Sequence, residues 1–268
     1  MRFKIMEITP WRLCEATIRR VKEIPYFLSW RGDSLITREN RSRLEKFRDK
    51  HAGQRCFVMG NGPSLSRMDL SVLKDEITFG MNRIYLLFDE MPFIPTYYTC
   101  VNDLVLEQFA DDIQALPMPK FLNWTCRDHF NSDDINTIFI RLRYSIRDLF
   151  VGDPAHSLCG GGTVTYAALQ LAYYMGFKEV VLIGVDHSFK EKGRPNKTEV
   201  RISEVDESHC HPNYFPKGIK WQLPDLLRSE LAYAIARKAF EKDGRVIRDA
   251  TVEGQLDVFE KVDFTSLF

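Results

Sequence analysis

Apolar residues along this chain fall into short runs, each halted by small polar residues. Residues 55–59 carry Cys56, Phe57, Val58 and Met59 in succession and stop at Gly60-Asn61-Gly62-Pro63-Ser64. A short apolar run bounded by turn residues predicts a strand buried on both faces of a parallel sheet. The pattern recurs at residues 77–82 and 97–103, and more weakly at 120–123 and 137–140. Residues 178–184 form the clearest strand, residues 245–250 a last one, and residues 256–259 a short extended tail. Helical spacing runs through residues 166–175, stopped by Gly176, and through 224–243, stopped by Gly244. Helices are also predicted over residues 11–22, 35–50 and 69–74, with Ser64 or Ser66 capping the last. Strands alternating with helices predict an α/β fold. It is read as a Rossmann-like open, mostly parallel sheet with helices on both faces, a helical N-terminal extension and a lid-like loop.

The residues that end the runs carry the candidate chemistry. In an open parallel sheet the carboxyl ends of the strands share an edge, and ligands bind there. Three runs end at Gly60-Asn61-Gly62, at Asn82 and at Asn102-Asp103. Asn offers a donor and acceptors, which suits ribose, base or sugar hydroxyls; singly it is also an ordinary turn residue. The glycines of residues 60–64 allow a sharp turn and close approach of a ligand, with positive φ expected at Gly62. Leading into a helix, that turn is expected to offer free N–H groups to a nucleotide phosphate, or to be a tight turn without a ligand. Its spacing fits neither G-x-G-x-x-G nor G-x-x-x-x-G-K-[ST]. Gly160-Gly161-Gly162-Thr163, ahead of the helix at 166–175, offers amides to phosphate again, with Thr163 or Thr165 as cap. Asp186, after the strand at 178–184, is a ribose or metal ligand, or a turn residue.

Residues 188–224 are polar and irregular, and hold His209, His211, Tyr214 and Trp221. Loops of this length in compact domains are functional or disordered, and the aromatic content argues against plain disorder. The segment is read as a lid holding a general base. Imidazole accepts a proton near neutral pH, and His211 is the first choice, His209 the second. Pro212 biases His211 toward extended backbone, where residues i and i+2 share a side. The alternatives are solvated histidines, or a metal pair completed by Asp186 or Glu207, for which two His are few.

Charge divides the chain. Residues 1–51 hold 13 Lys and Arg against 7 Asp and Glu, a net +6; the formal total is zero, which leaves −6 for residues 52–268. Residues 1–51 are therefore read as a basic helical extension, and 52–268 as the main domain with its lid at about 188–224. Such an extension lies on an anionic membrane surface or packs on the main domain. Zero net charge makes no case for nucleic acid. Six scattered cysteines without C-x-x-C disfavour a zinc ribbon and fit reduced thiols in the cytoplasm. Residues 1–10, with Arg2, Lys4 and Glu7, lack the apolar centre of a signal peptide, and no apolar stretch reaches the ~18 residues of a membrane span.

Taken together, Gly60-Asn61-Gly62-Pro63-Ser64-Leu65, Asn82, Asn102, Gly176 before the strand, Gly184-Val185-Asp186 and a downstream His resemble the bacterial CMP-sialic-acid-dependent sialyltransferases of glycosyltransferase family 42. The same order is similar to a broader family containing motility accessory factors and MptE-like 6-hydroxymethylpterin diphosphokinases, as is the closing Asp249-Ala250-Thr251 with Leu256-Asp257-Val258-Phe259. The resemblance covers roughly residues 54–260. It implies that Asn61, Asn82 and Asn102 contact nucleotide and donor sugar, that Gly161, Gly162 and Thr163 hold the nucleotide, and that His211 or His209 is the base. Where the sialyltransferases place a tyrosine two residues after the strand-end Asp, this chain has Ser188, which leaves Tyr214 or a lid Lys or Arg for the leaving phosphate.

The resemblance implies a transferase. The first reading is a glycosyltransferase using a CMP-linked, sialic-acid-like sugar donor and a glycan acceptor in surface polysaccharide synthesis, with no cofactor required. The alternative is ATP-dependent diphosphate transfer to 6-hydroxymethyl-dihydropterin, with Mg2+ held by Asp103, Asp186 or Glu207. A third reading is a nucleotide-sugar-binding scaffold. The expected location is cytoplasmic, at the inner face of the membrane through the basic N-terminus, and a homo-oligomer is left open.

Overall fold

The computed structural model describes residues 10–143 and 148–268, so the reading of residues 1–9 lies outside the described residues. The first half of the chain forms α1 (Pro10–Arg31), α2 (Leu35–Glu45), β1 (Arg55–Met59), β2 (Thr78–Met81), β3 (Tyr97–Cys100), α3 (Asp103–Gln108), α4 (Ala110–Gln114), β4 (Lys120–Asn123) and β5 (Thr137–Ile140). The second half forms β6 (Leu142–Arg143), β7 (Leu158–Cys159), α5 (Val164–Tyr174), β8 (Glu179–Ile183), β9 (Thr198–Val200), β10 (Lys220–Gln222), α6 (Leu226–Lys242), β11 (Val246–Asp249) and β12 (Glu260–Lys261).

Eight strands make one sheet in the order β12-β11-β8-β1-β2-β3-β4-β5, and every pairing in it is parallel. The chain leaves β1 toward β5 and returns to the other side of β1 with β8. The switch point therefore lies between β1 and β8, where such sheets bind ligands. The strands are apolar throughout because both faces are covered. Cys56, Val58, Val180 and Leu182 join one core with Ala167, Leu171, Ala236 and Phe240 of α5 and α6. Phe57, Met59, Val181 and Ile183 join the other with Leu65, Leu73, Leu106 and the lid residues Tyr214 and Trp221.

Four predicted elements differ, one of them the helix expected over residues 35–50, which ends at Glu45. The helix expected over residues 69–74 is a pair of 3-10 turns, Pro63–Arg67 and Leu70–Leu73. Asp69 breaks it by accepting the Ser71 amide at 3.0 Å, a local bond that competes with helix. The helix ending at residue 22 continues through Pro25 to Arg31. Val21 and Pro25 are both exposed, so water reaches the carbonyl that the proline leaves without a donor. The tail strand falls at Glu260–Lys261, just beyond residues 256–259.

The boundary at residue 51 does not separate two packing units. The Asn40 amide clamps the Phe139 backbone in both directions, at 2.9 and 2.7 Å, and Leu44 and Phe47 are buried in the core. Beyond α2, the amides of Asp49, His51 and Gly53 donate to the carbonyls of Tyr174, Met175 and Gly176. They satisfy carbonyls at the end of α5 that helix geometry leaves without donors. Among the described residues no helix is long and apolar enough to cross a membrane.

Candidate active site

A cleft of about 750 Å³ opens along the carboxyl edge of the sheet. The strand ends supply Gly60, Asn61, Gly62, Asn82, Asn102, Asp103 and Asp186; the start of α5 supplies Gly160, Gly162 and Thr163; the lid supplies His209 and Tyr214. Most residues singled out in the sequence thus meet in one cavity. Ser64, Gly161 and His211 do not line it.

Ser64 is fully buried beneath the first turn. Its hydroxyl donates to Asp186 at 2.6 Å and its amide to the same carboxylate at 3.1 Å. The amides of Gly60 and Gly62 donate to the carbonyls of Ile183 and Gly184 at 2.7 and 2.9 Å. The N–H groups expected to cradle a phosphate at this turn are therefore spent on the end of β8, beside a carboxylate. Gly62 has φ −72°, so the positive φ expected there is absent. A Cβ at Gly62 would lie 1.8 Å from Asp186 Oδ2, and one at Gly60 2.1 Å from the Gly184 carbonyl oxygen. These glycines let two strand ends approach each other.

The second turn has the opposite character. Gly161 and Gly162 take φ +57° and +78°, and Thr163 caps α5 by accepting the Thr165 amide at 3.3 Å. A Cβ at Gly162 would make only ordinary contact with Arg228, whereas one at Gly161 would strike Tyr166. α5 is a full helix of 11 residues, and its positive end opens into the cleft. Of the two turns, this is the one that presents the start of a full helix to the cleft.

The strand-end asparagines carry unfilled acceptors. Asn61 Nδ2 donates to the Met81 carbonyl at 2.9 Å, which fixes the amide and leaves Oδ1 buried without a partner. Asn82 has φ +48° and likewise holds a buried Oδ1 with no partner. Asn102 instead caps α3 through the Leu104 amide at 3.0 Å. Asp103 Oδ1 accepts from Asn123 Nδ2 and the Thr125 hydroxyl at 2.7 and 2.9 Å.

Of the two lid histidines, His209 faces the cleft. Its ring stacks on Tyr214 with centroids 4.0 Å apart, and Nδ1 lies 2.9 Å from the fully buried Asp206 carboxylate. Asp206 thus holds the proton on Nδ1 and leaves Nε2 as the acceptor. Burial raises the Asp206 carboxyl, but the hydrogen bond from His209, the charge of that ring when protonated, the Ser208 amide and the Arg201 charge outweigh it and hold it below its ordinary range. His211 accepts the Asn213 amide within a local turn, at 3.1 Å, so the extended pair expected of residues 209 and 211 does not form. Burial pushes the Tyr214 phenol well up, so it stays protonated and can donate. Arg83 fastens the lid by donating to the Asn213 and Tyr214 carbonyls, and the Cys210 amide donates to the Asn61 carbonyl at 2.8 Å.

Sequence reading missed His187, Arg83 and a contribution from α1. His187 follows Asp186 with φ +56° and places Nε2 3.0 Å from Glu230 on α6. The available signal in the sequence was its place directly after the strand-end Asp186; its left-handed φ has no sequence signature. Lys22, Glu23 and Tyr26 of α1 also line the cleft. Among the described residues no group of three His, Cys, Asp or Glu is placed to hold a metal.

The family model described as 6-hydroxymethylpterin diphosphokinase MptE-like matches residues 35–192, from the start of α2 to beyond β8. A search of the curated proteins returns no match. Among solved structures, one of a mammalian sialyltransferase in complex with Gal-beta-1-3GalNAc-ortho-nitrophenol aligns at 10% identity and a TM-score of 0.40, over 88% of this chain and 86% of that one.

Proposed function

Because this chain belongs to the 6-hydroxymethylpterin diphosphokinase MptE-like family, we propose that it is a transferase moving a group from a nucleotide donor to an alcohol acceptor. The donor lies across the switch point with a phosphate at the α5 N-terminus, where the helix dipole meets negative charge; the Thr163, Thr165 and Tyr166 amides are bonded locally, which leaves those of Gly161, Gly162 and Val164 to reach it. His209, oriented by Asp206, takes the acceptor's hydroxyl proton on Nε2 as the oxygen attacks. The α5 amides and the Tyr214 hydroxyl stabilise charge growing on the departing phosphate.

The group transferred is read as a sugar from a CMP-linked, sialic-acid-like donor. One observation carries this: Asn61 Oδ1 and Asn82 Oδ1 are buried acceptors in the cleft with no protein donor. Such groups cost free energy until a donor reaches them, and the hydroxyls of a sugar and ribose are donors. Charge favours the same ligand. The cleft is lined by Glu23, Asp103, Glu107 and Asp186 against Lys22 and Arg228. A nucleoside monophosphate sugar brings a single phosphate charge there, a triphosphate several. Synthesis of a surface glycan is the expected setting.

Family membership favours a second reading, diphosphate transfer from ATP to a hydroxymethyl pterin. It asks for Mg2+ to neutralise the triphosphate. Asp186 is already bonded to Ser64 and Asp103 to Asn123, so a magnesium ion would arrive with the triphosphate, keep waters, and take a carboxylate from one of them.

Thermal unfolding with CMP, CMP-sugar or ATP, each with and without Mg2+, separates the readings. A ligand at ~100 times its Kd adds about 2.7 kcal/mol of stability. Stabilisation by CMP and CMP-sugar without metal is expected. Stabilisation by ATP with Mg2+ alone favours the second reading, and none by any nucleotide overturns both.

A further inference from the structure

α1 has two unlike faces. The inner one is fastened to the body: Trp30 is buried, packs edge-on against Trp124 with centroids 5.3 Å apart, and donates from its indole to the Ala155 carbonyl at 3.2 Å. Lys22, Glu23 and Tyr26 face the cleft. The outer face carries Ile18, Val21, Ile24 and Leu28, which are 51, 58, 50 and 62% exposed. Spacings of three and four align these side chains in one stripe along the helix. Exposed basic residues border it, Arg20 and Arg31 along one side and Lys22 along the other.

We propose that this stripe seats the protein on an anionic lipid surface, with α1 lying in the plane of the headgroups. Apolar burial combined with basic flanks is the pattern of helices that adsorb to anionic membranes. A second copy of the chain suits the stripe less, because pairing two stripes would bring Arg20, Lys22 and Arg31 of one against the same cations of the other. The overall charge adds direction. Residues 1–51 carry +6 and the remainder −6, so an anionic surface attracts the α1 side and repels the rest. Because the inner face of α1 borders the cleft, adsorption holds the cleft mouth beside the lipid boundary. An acceptor carried on a lipid would meet the site there, whichever group is transferred.

The test is co-sedimentation of the full chain with vesicles of phosphatidylcholine alone, or of phosphatidylcholine with phosphatidylglycerol. Binding to the anionic vesicles, weakened by salt, is expected. Ile24→Asp with Leu28→Asp should reduce partitioning on the order of tenfold or more. Arg20→Gln with Arg31→Gln should reduce it roughly thirtyfold on anionic vesicles only, at roughly 1 kcal/mol per cation. All four residues are exposed, so circular dichroism and melting should stay as in the parent. Equal binding to both vesicle types, no binding, or partitioning untouched by either pair would overturn the proposal. So would a parent dimer that Leu28→Asp splits while vesicles capture neither protein.

Discussion

Two glycine-rich turns stand at the same edge of the sheet and share a sequence signature, yet their glycines do different work. At residues 60–64 they make room for the end of β8, and three amides of the turn are used inside the protein. At residues 160–163 two of them, Gly161 and Gly162, take positive φ and set the start of α5 toward the cleft, although the Thr163 and Tyr166 amides are bonded locally there as well. The helix that follows decides the outcome. A five-residue 3-10 turn after Gly62 has little dipole to offer, whereas the 11 residues of α5 have a full one. A Gly-x-Gly motif is thus read safely only together with the element it opens and with the strand its amides can reach.

The largest effects should come from the first turn. Gly62→Ala places a methyl group on the Asp186 carboxylate, and Gly60→Ala places one on a backbone carbonyl that cannot move away. Each is expected to cost on the order of 3 kcal/mol, and the double variant should not accumulate as folded protein. Chemical denaturation measures it. In the Gly62→Ala protein, adding Asp186→Ala should recover part of the loss, since that removes the nearest obstacle. Parent-like stability of either single variant would mean that the two turns do not differ in kind.

The lid repeats the comparison with histidines. His209 is braced by Asp206 and Tyr214, and His211 sits in a local turn. His209→Ala should lower turnover ~10²–10⁴-fold, and His211→Ala should leave it near the parent value. The reverse result would return the base to His211. Acid tests the brace. The Asp206 carboxyl is held below its ordinary value, so its stabilising contribution is present above about pH 4 and is lost as pH falls through the lowered value. Lid proteolysis should therefore stay slow from neutral pH down to that range and rise below it. In Asp206→Asn the lid should be cut faster at neutral pH, and the acid-induced rise should shrink.

Much of the frame was legible because each strand is a local signal. Apolar runs stopped by small polar residues marked seven of the eight strands of the main sheet, most to within a residue; β3 ends at Cys100, three residues short of the run read to 103, and β12 lies beyond the tail read at 256–259. The helix ends at Gly176 and Gly244 were legible for the same reason. What stayed hidden depends on contacts distant in sequence. Ser64 meets Asp186 across 122 positions, and Asn40 meets Phe139 across 99, so neither pairing has a sequence period. The choice between His209 and His211 turned on Asp206, whose carboxylate looked like any other in a polar loop. The basic composition of residues 1–51 concealed Leu44 and Phe47, which are core residues, and α1 residues that reach the cleft.

Gly162→Ala comes next in size. An alanine at φ +78° costs about 1–2 kcal/mol in backbone strain, while its methyl meets Arg228 at an ordinary 3.4 Å. The protein should fold, with the start of α5 displaced. Affinity for the nucleotide should fall on the order of tenfold if the α5 amides hold its phosphate. Titration calorimetry reads this directly. Unchanged affinity would leave those amides without a ligand and remove the functional half of the comparison.

The smallest expected effect, Thr163→Ala, separates the backbone of this turn from its side chain. Thr163 Oγ1 accepts the Thr165 amide at 3.3 Å and lies 3.4 Å from the Tyr233 hydroxyl, both long contacts. Loss of this cap should cost about 1 kcal/mol, and in a chain of this size that lowers Tm by roughly 2–4 °C. Thr163→Ser keeps the oxygen and should recover most of it. Nucleotide affinity should change less than in Gly162→Ala, because the amides and the helix dipole remain in place. If Thr163→Ala instead weakens binding as much as Gly162→Ala, with Thr163→Ser restoring it, the hydroxyl itself grips the ligand. The α5 terminus would then work through a side chain, as proposed for Asn61, and the two turns would be closer in function than their backbones suggest.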